Sequence, residues 1–479
     1  MNGRITTLFG LVVVLFAVLI GFTSYWSVFD ADSLEANRAN KRPLLEQQRV
    51  RRGLILARDG TILARNRSIG SGSNRFFQRL YPDGTLFAHP MGYSFVSRGD
   101  VGLERSYDDD LTGKTDEFQT ILDELRGKER EGDDIVTALD PEAQRTAIAG
   151  LAGRAGSVVA IEPQTGLVRV MASVPGFDLN SVPDNFAELR RAPGAPLLDR
   201  AAQSGYPPGS TFKVVTATAA LDSGRFTPNS VLSGKSPQEI GGVPLSNFGN
   251  EQFGDITLTL ALTHSVNTVW GQVGEKLGKS LMYKYMSRFG FDRRPAIDLP
   301  GDELRPSGVF SSNGKLLDAS DAIDIGRVAI GQERLQVTPL QMAMVAGAIA
   351  NGGRLIRPHL VEKVTDHDGR TVRRIKPSEE SKVMSEATAQ ALAEMMSQVV
   401  KEGTGTAAAL QGIDVAGKTG TAEKGNANQA WFIAFAPVQA PRVAIAVTVE
   451  QTTGQGGTIA APIAKQVMET LLKTGSGAG

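Results

Sequence analysis

Hydrophobic residues fill the stretch Leu8–Trp26, which carries no charged side chain. Its length is close to the roughly 20 residues that a helix needs to cross a bilayer. Arg4 precedes the stretch, and Asp30 and Asp32 follow it. The positive-inside tendency therefore predicts that residues 1–7 are a cytoplasmic tail and that the rest of the chain lies outside the membrane.

A cleaved signal peptide is the alternative interpretation of this stretch. The apolar region of a signal peptide is about 7–15 residues long and ends at small residues. Here the run is longer and ends at Tyr25 and Trp26, which are residues typical of a membrane interface. We therefore expect an uncleaved transmembrane anchor at residues 8–26.

Beyond the anchor, the pattern changes to alternation. The segment Arg52–Ala64, RGLILARDGTILA, alternates around Arg58-Asp59-Gly60 and predicts a β-hairpin. Residues 36–51 are charged and unpatterned, which indicates a linker, and Asp116–Leu125 can form an amphipathic helix. This region offers no catalytic constellation, so we expect a spacer or docking module.

A second patterned region begins with a helix predicted from Asp140 to Leu151. Two alternating runs joined by a Pro-Gln-Thr-Gly turn then predict a β-hairpin. Further strands and a final helix are predicted near the end of the chain. Strands at both ends with helices between them predict one mixed sheet whose first and last strands meet. The predicted strands are Ser157–Glu162, Leu167–Ser173, Ala430–Phe435 and Arg442–Glu450, and the predicted final helix is Ala461–Lys473.

The composition of the chain argues against several classes of function. The length of 479 residues suggests about three domains. The chain has 51 basic and 51 acidic residues, so no overall charge attracts nucleic acid. It has no cysteine and only four histidines, and the histidines lack metal-ligand spacing. We therefore expect no cofactor, no metal site and no Ser-His-Asp triad.

The best candidate chemistry lies in a serine and a lysine three residues apart. The segment YPPG disfavours helix before Ser210, and an apolar pattern then continues to Gly224, so Ser210 is predicted to open a buried helix. On a helix this spacing places the Lys213 amine beside the Ser210 hydroxyl. A desolvated lysine near a second cation can deprotonate the serine. The alternative is a serine N-cap followed by a solvated lysine.

A second motif is Ser265-Val266-Asn267, which joins helices predicted at Ile256–His264 and Val269–Leu277. Ser265 and Asn267 converge on one site only if the backbone between them is a turn. The alternative makes Asn267 the N-cap of the second helix.

A third motif lies in Val415–Glu423, VAGKTGTAE. On a strand, Lys418 and Gly420 face one way, and Thr419 and Thr421 face the other. Gly420 leaves room for a substrate peptide to add as a strand. Lys418 brings a second positive charge, which lowers the pKa of Lys213 and attracts a carboxylate. The alternative is a solvated edge strand protected by one lysine.

The same residues fit a phosphate-binding loop, since GIDVAGKT at Gly412–Thr419 matches G-x-x-x-x-G-K-[ST]. A phosphate loop follows a buried strand and opens a helix. Here a helical pattern at Ala389–Val400 precedes the motif, and Gly420 and Gly425 disfavour a helix after it. We therefore expect no nucleotide site.

The three motifs, with their order and flanking segments, resemble the penicillin-binding proteins. More narrowly, the chain is similar to class B members, and among them most to the actinobacterial penicillin-binding protein A type. The hairpin segment RGLILARDGTILA belongs to this resemblance. The other segments that share it are GLERSYDDDLTGK at Gly102–Lys114, IEPQTGLVRVMAS, AIGQERLQVTPLQMAMVAGAIANGG at Ala329–Gly353, and EGTGTAA at Glu402–Ala408.

The resemblance implies an α+β fold in which mixed helices surround an antiparallel sheet. It implies an extended pedestal of the dimerisation type at residues 27–153 and a transpeptidase domain at residues 154–475. It also implies a membrane-anchored D,D-transpeptidase that cross-links the D-Ala-D-Ala stem peptides of peptidoglycan and that β-lactams acylate.

The resemblance further implies a role for each motif residue. Ser210 is the acylated nucleophile and Lys213 its general base, while Ser265 relays the proton. The remaining residues bind substrate, and the backbone N–H groups of Ser210 and Thr421 form the oxyanion hole. The substrate-binding residues are Asn267, Lys418, Thr419, Gly420 and Thr421.

Two other functions share these motifs. A D,D-carboxypeptidase or a β-lactamase would use them for hydrolysis, but we find no Glu-x-x-Leu-Asn segment of the kind that positions deacylating water in class A β-lactamases. A non-enzymatic penicillin-binding sensor or scaffold would need cytoplasmic machinery, for which seven residues leave no room. The resemblance also implies a partner, a polytopic glycosyltransferase of the shape, elongation, division and sporulation (SEDS) type. Trp431 and His264 flank the motifs, and we expect both to pack in the core.

Overall fold

The structure is a computed structural model that describes most of the chain. The predicted linker at 36–51 lies largely outside the described residues, and the helix predicted at Asp116–Leu125 lies wholly outside them. The described residues are 2–26, 49–71, 75–114, 131–424 and 427–474.

The first helix, Asn2–Ser24, is apolar and exposed along its length. Within its segment Gly3–Ser24, the most apolar 18 residues have a mean hydropathy of 2.7. Among the described residues it is the one helix long and apolar enough to cross a membrane. The helix begins several residues before Leu8, so it also includes most of the short segment ahead of the apolar run.

A six-stranded sheet contains the predicted hairpin. Ile55–Leu56 pairs antiparallel with Ile62–Ile69, and Gly60 between them takes the positive φ of 83° that glycine tolerates best. The hairpin prediction is therefore confirmed. Strands from both halves of the chain join this sheet, in the order Thr371–Arg374, Val361–Thr365, Asp134–Thr137, Ile55–Leu56, Ile62–Ile69 and Phe76–Leu80.

A buried carboxylate ties this region together. Glu104 is fully buried and accepts hydrogen bonds from Arg79 Nε at 2.6 Å and Arg52 Nε at 2.7 Å. Desolvation acts to raise its pKa, but the Arg79 and Arg52 guanidinium groups hold the pKa of Glu104 below its usual value. The Glu104 side chain is therefore a paired anion in the interior.

The second sheet has five strands and holds the third motif at its edge. Every pairing in it is antiparallel, so the mixed sheet expected from the strand pattern is wrong and the antiparallel sheet implied by the resemblance is right. The first and last strands of the region do meet, as predicted, because Gly156–Ile161 pairs with Val443–Thr452. The strand order is Ala416–Lys424, Ala427–Ala436, Val443–Thr452, Gly156–Ile161 and Val168–Val174.

Both faces of this sheet are buried, which explains why its strands are almost continuously apolar. Val158 and Phe432 belong to one core and Val159 and Trp431 to another, as the two-residue period of a strand requires. The helices that contribute to the core that includes Val159 and Trp431 include Lys213–Asp222, Pro339–Ala350 and Glu386–Lys401.

The opposite core is closed by helices Pro141–Leu151 and Gly456–Thr474. The first begins as predicted, since the Asp140 side chain accepts the Ala143 N–H at 3.1 Å. The second begins before the predicted Ala461. Pro141–Leu151 packs on the second sheet, and Val361–Thr365 joins the first, so elements cross the predicted boundary at 153/154. The domain bounds stay a prediction.

Shorter elements complete the described fold. Its other helices are Ala88–Met91, Gly102–Ser106, Asp108–Thr112, Val182–Leu189, Leu258–Thr263, Asn267–Leu277, Lys279–Arg288 and Ile325–Ala329. Two-stranded sheets pair Ser94–Phe95 with Gly99–Asp100, Val231–Gly234 with Phe253–Thr257, Gln238–Ile240 with Val243–Leu245, Gly308–Val309 with Leu335–Gln336, and Arg354–Ile356 with Glu379–Lys382. Short 3₁₀ helices are Leu179–Ser181, Gly209–Phe212, Phe248–Asn250, Gly301–Glu303 and Thr406–Ala408.

Candidate active site

Ser210 lies in a 3₁₀ turn, Gly209–Phe212, and the α-helix begins only at Lys213. The prediction that Ser210 opens the α-helix is therefore wrong by one turn. The predicted juxtaposition is nevertheless present, because side chains three apart eclipse one another in a 3₁₀ helix. Ser210 Oγ and Lys213 Nζ are 3.0 Å apart, within hydrogen-bond distance.

Lys213 is fully buried at the centre of the three motifs. Its Nζ donates to the Ser265 carbonyl oxygen and to Asn267 Oδ1, each at 2.7 Å. Burial lowers the pKa of Lys213 well below its usual value, and the charge of Lys418 lowers it further. The like-charge effect predicted from the sequence is therefore present, although desolvation is the larger cause.

Ser265 occupies the tight turn that the second motif requires. Its φ is +59°, a left-handed conformation that few non-glycine residues adopt, and it brings Ser265 and Asn267 to the same amine. Helix Asn267–Leu277 has Val266 as its N-cap, so the alternative that makes Asn267 an N-cap is wrong. The first predicted helix is also shorter than expected, because Ile256 and Thr257 belong to the strand Phe253–Thr257.

Lys418 is fully buried on the edge strand Ala416–Lys424. Its Nζ donates to Ser265 Oγ at 2.9 Å and to the Thr419 carbonyl oxygen at 3.0 Å. Burial lowers the pKa of Lys418 to about 7. Ser265 Oγ also lies 3.3 Å from Lys213 Nζ, so one hydroxyl bridges the two lysines.

Gly420 has a different role from the one expected. A Cβ atom at this position would lie 2.7 Å from the Pro208 carbonyl oxygen and 2.9 Å from Thr211 Cγ2. The missing side chain therefore admits the turn that carries Ser210, and not the substrate peptide. Similarly, a Cβ at Gly209 would lie 2.8 Å from the Thr421 carbonyl oxygen, so the turn and the edge strand are in direct contact.

These motifs surround one cleft of about 580 Å³. Six of the site residues predicted from the sequence line the cleft, while Lys213 and Lys418 lie beneath its surface. The edge strand pairs on one side only, with Ala427–Ala436, among the strands that the structure describes. Its other side is available to an extended peptide. The lining residues are Ser210, Ser265, Asn267, Thr419, Gly420 and Thr421.

The phosphate-loop alternative fails on geometry. The residues that should open a helix after Lys418 instead form the strand Ala416–Lys424. The elements before the motif are the helix Glu386–Lys401 and the 3₁₀ helix Thr406–Ala408, and not a buried strand. In the part of the chain that the structure describes, no cluster of three His, Asp or Glu residues could hold a metal ion.

Trp431 and His264, which flank the motifs, were both expected in the core, but only one of them lies there. Trp431 is fully buried as expected, and its Nε1–H also donates to the Pro207 carbonyl oxygen at 3.0 Å. His264 is exposed, lines the cleft and stacks on Phe253 at 5.8 Å between ring centroids. The core position expected for His264 is therefore wrong, because His264 follows the last residue of helix Leu258–Thr263, as its C-cap, and lies at the surface.

Sequence analysis missed several residues of this site. The Tyr206 hydroxyl donates to Glu450 Oε1 at 2.5 Å, and Arg200 Nε donates to the same oxygen at 2.8 Å. These bonds hold the chain just before the turn that carries Ser210. Thr404 Oγ1 lies 2.6 Å from Thr419 Oγ1. The segment around Thr404 carried a sequence signal, whereas nothing local to Glu450 indicates its distant partners.

Comparisons with known proteins give two matching families. The model described as the penicillin binding protein transpeptidase domain matches residues 156–469, and the penicillin binding protein A dimerisation domain matches residues 52–135.

Relatives and solved structures match along nearly the whole chain. The peptidoglycan D,D-transpeptidase PbpA of Mycolicibacterium smegmatis is 34% identical and covers 97% of this chain and 98% of its own length. The D,D-transpeptidase domain of a peptidoglycan glycosyltransferase from Eggerthella lenta has a TM-score of 0.79 at 34% identity and covers 89% of this chain and 99% of its own. An imipenem acyl-enzyme complex of penicillin-binding protein A from M. tuberculosis has a TM-score of 0.79 at 31% identity, with coverage of 89% and 100%. The fold class predicted from the sequence is confirmed by these likenesses.

Proposed function

The chain belongs to the penicillin-binding protein transpeptidase family, and we infer that it is a serine-type peptidoglycan D,D-transpeptidase and a target of β-lactams. The observation that carries the catalytic assignment is the 3.0 Å separation of Ser210 Oγ and Lys213 Nζ at the centre of the cleft. Burial and like charge both lower the pKa of the Lys213 amine, which suits it to act as a general base at neutral pH.

In the first step, Ser210 Oγ attacks the carbonyl carbon of the penultimate D-Ala of a stem peptide. Its proton passes to Lys213, and the tetrahedral intermediate places an oxyanion between the backbone N–H groups of Ser210 and Thr421. Fixed donors of this kind stabilise an oxyanion without reorganisation. The C–N bond then breaks, and the terminal D-Ala leaves as an amine after taking a proton relayed through Ser265.

In the second step, an amine of a neighbouring stem peptide attacks the Ser210 ester. The amine loses its proton through Ser265 and Lys213, a new amide bond forms, and Ser210 Oγ leaves with the returned proton. Splitting one acyl transfer into two steps lowers each barrier. A β-lactam acylates the same oxygen by opening of its ring.

Substrate binding falls to the remaining motif residues. Asn267, whose Nδ2–H donates to the Ser246 carbonyl oxygen at 3.1 Å, holds the donor peptide amide. Lys418, Thr419 and Thr421 bind the terminal carboxylate and orient the chain along the edge strand. Lys418 acts through its charge from beneath the surface, since it is fully buried.

Replacing the nucleophile tests the assignment. Ser210→Ala should form no covalent adduct with a fluorescent penicillin, because it removes the proposed nucleophile and the other hydroxyl near Lys213, that of Ser265, is held between two lysines. Intact-mass analysis and peptide mapping should find one adduct on Ser210 in the native chain. Ser312→Ala, on an exposed loop, is the matched control and should label normally. Labelling of the Ser210→Ala protein would refute the assignment.

The proposed function includes a membrane location and a glycosyltransferase partner. The apolar helix at the N-terminus anchors the chain in the plasma membrane as a single span, with the N-terminus cytoplasmic and the cleft outside. The anchor and the N-terminal module contact a SEDS-type glycosyltransferase. If the chain without its first 26 residues cross-links nascent glycan at the full rate without such a partner, the partner proposal fails.

A further inference from the structure

One wall of the cleft carries an acidic side chain that the proposed reaction does not use. Residues 246–253 form much of this wall. Glu251 provides the one carboxylate among the lining residues that the structure describes, and it is exposed. Within the described ranges of the chain it forms no ion pair. Its negative charge is therefore available to a ligand in the cleft.

A buried asparagine fixes the backbone that presents this carboxylate. Asn247 is 4% exposed, and its Nδ2–H donates to the Glu251 carbonyl oxygen at 3.0 Å. Its Oδ1 accepts the Thr268 N–H, also at 3.0 Å. Thr268 is the second residue of helix Asn267–Leu277. The Glu251 backbone is therefore tied to the helix start that belongs to the second motif.

The edge-strand side of the cleft has the opposite charge. Lys418 lies buried beneath the surface there, with its Nζ 2.9 Å from Ser265 Oγ. Its positive charge attracts an anionic group of a ligand and repels a cationic one. A cation that enters the cleft is therefore favoured at the wall formed by residues 246–253, where Glu251 lies.

The second step of the proposed reaction brings in such a cation. A lysine-type side-chain amine has a pKa of about 10.4, so the acceptor amine arrives as an ammonium ion in neutral solution. The ammonium releases one proton to bulk water before its nitrogen attacks the Ser210 ester, and the proton transfers of the second step then follow. A carboxylate in the cleft raises the local concentration of the ammonium form beside the ester.

We propose that Glu251 is an acceptor-specificity residue, whose carboxylate binds the ammonium group of the incoming stem peptide before that amine attacks the Ser210 ester. This inference rests on the proposed function, since the acceptor reacts with the acyl-enzyme. It names the acceptor class as a primary amine that is cationic in neutral solution. It also separates the two substrates, with the cationic acceptor at residues 246–253 and the anionic donor terminus at the edge strand.

The test measures how the acyl-enzyme divides between aminolysis and hydrolysis. The full chain in detergent is acylated by a thioester analogue of the donor peptide in the presence of an acceptor, and the amide and acid products are quantified by mass spectrometry. The acceptors are Nα-acetyl-lysine amide, whose amine is cationic at neutral pH, and methoxyamine, which is uncharged.

We expect Glu251→Gln to lower the amide-to-acid ratio about three- to fivefold with Nα-acetyl-lysine amide, the upper range for an exposed charge pair. The ratio with methoxyamine should not change. Glu251→Asp keeps the charge and should retain most of the native ratio. Since salt screens exposed charges, higher ionic strength should lower the native ratio with the cationic acceptor and leave that of Glu251→Gln unchanged.

Glu239→Gln is the matched control, because Glu239 is exposed and does not line the cleft. It removes the same charge and should change neither ratio. Both products come from one acyl-enzyme, so a loss of folded protein leaves the ratio unaffected. An equal loss with both acceptors, or no loss with either, would overturn the role of Glu251 alone. If the native protein acylates but forms no amide with any acceptor, the proposed transpeptidase function fails together with the acceptor site.

Discussion

At the scale of single residues, the site depends on removing lysine charges from water. Lys213 and Lys418 are both fully buried, and Ser265 Oγ lies within 3.3 Å of both amines. Burial disfavours the ammonium form of each lysine, and the two charges repel each other. Burial of the lysine pair thus favours the neutral amine beside Ser210 more than solvent exposure would.

The pH dependence of acylation follows from this pairing. In the proposed mechanism the neutral form of Lys213 is the base, so the acylation rate should rise as pH increases through its pKa and fall as pH decreases below it. Lys418→Met removes the repelling charge, so the pKa of Lys213 should rise and the acid limb should move to higher pH. The measurement is the acylation rate against pH, with each variant scaled to its own maximum.

Lys418→Arg, which keeps the positive charge, is the control for this shift. Its absolute rate can fall because the side chain is larger, but its acid limb should stay at lower pH than that of Lys418→Met. An acid limb unmoved by Lys418→Met would mean that Lys418 does not tune Lys213.

At the scale of elements, the turn Gly209–Phe212 is fixed by contacts from several strands and loops. The Trp431 indole N–H donates a hydrogen bond to the Pro207 carbonyl oxygen, and the Tyr206 hydroxyl donates one to the Glu450 carboxylate. The Gly209 N–H donates to the Gly331 carbonyl oxygen at 3.0 Å. The position of Ser210 is therefore set by residues distant in sequence as well as by its own helix.

Gly420→Ala should disturb this turn without unfolding the domain. The added methyl would lie 2.7 Å from the Pro208 carbonyl oxygen, and relief of such overpacking costs about 1–3 kcal/mol. Since the turn carries Ser210, we expect penicillin acylation to slow by at least about tenfold while the melting temperature changes by only a few degrees. Stopped-flow acylation and thermal melting are the measurements.

Gly254→Ala is the matched control, because no atom lies within 4 Å of a Cβ at that position. It should leave both the acylation rate and the melting temperature unchanged. Normal acylation by the Gly420→Ala protein would show that the edge strand and the turn can separate without cost.

Local patterns predicted the elements and the three motifs well. The hairpin at Ile55–Ile69 and the serine-to-lysine spacing at Ser210 are set by residues close in sequence, so periodicity and turn chemistry suffice. Sequence patterns failed to predict residues whose structure or position depends on contacts with distant parts of the chain. Thr404 joins the cleft only through its position against Thr419, and Ile256 pairs as a strand with Leu232 although its local spacing is helical.

At the scale of the whole molecule, the N-terminal region is held by buried charge as well as by its sheet. Glu104 links Arg52, next to the first strand, to Arg79 in the third strand of the same sheet. Nearby, the Tyr107 hydroxyl donates to Asp298 Oδ2 at 2.9 Å. The segment that contains Glu104 and Tyr107 therefore joins the N-terminal strands to a region more than halfway along the chain.

Glu104→Gln should destabilise this region and spare the active site. Breaking a buried ion pair from one side costs about 3–5 kcal/mol, since it leaves buried charge uncompensated. We expect the melting temperature of the full chain in detergent to fall, while Ser210 acylation below that temperature keeps its native rate. Differential scanning calorimetry and penicillin labelling are the measurements.

Glu131→Gln is the control, because its partner Arg51 is largely exposed and such pairs contribute about 0–1 kcal/mol. Equal melting temperatures for the two variants would contradict a stabilising role for Glu104.

The strand order of the first sheet has a consequence for biosynthesis. Asp134–Thr137 pairs with Val361–Thr365, which the ribosome adds long afterwards. Until then one edge of Asp134–Thr137 has no partner, and an unpaired strand edge is a template for aggregation. A nascent chain that pauses before this partner has emerged would present that edge to other chains, so shielding by a chaperone matters most during this interval.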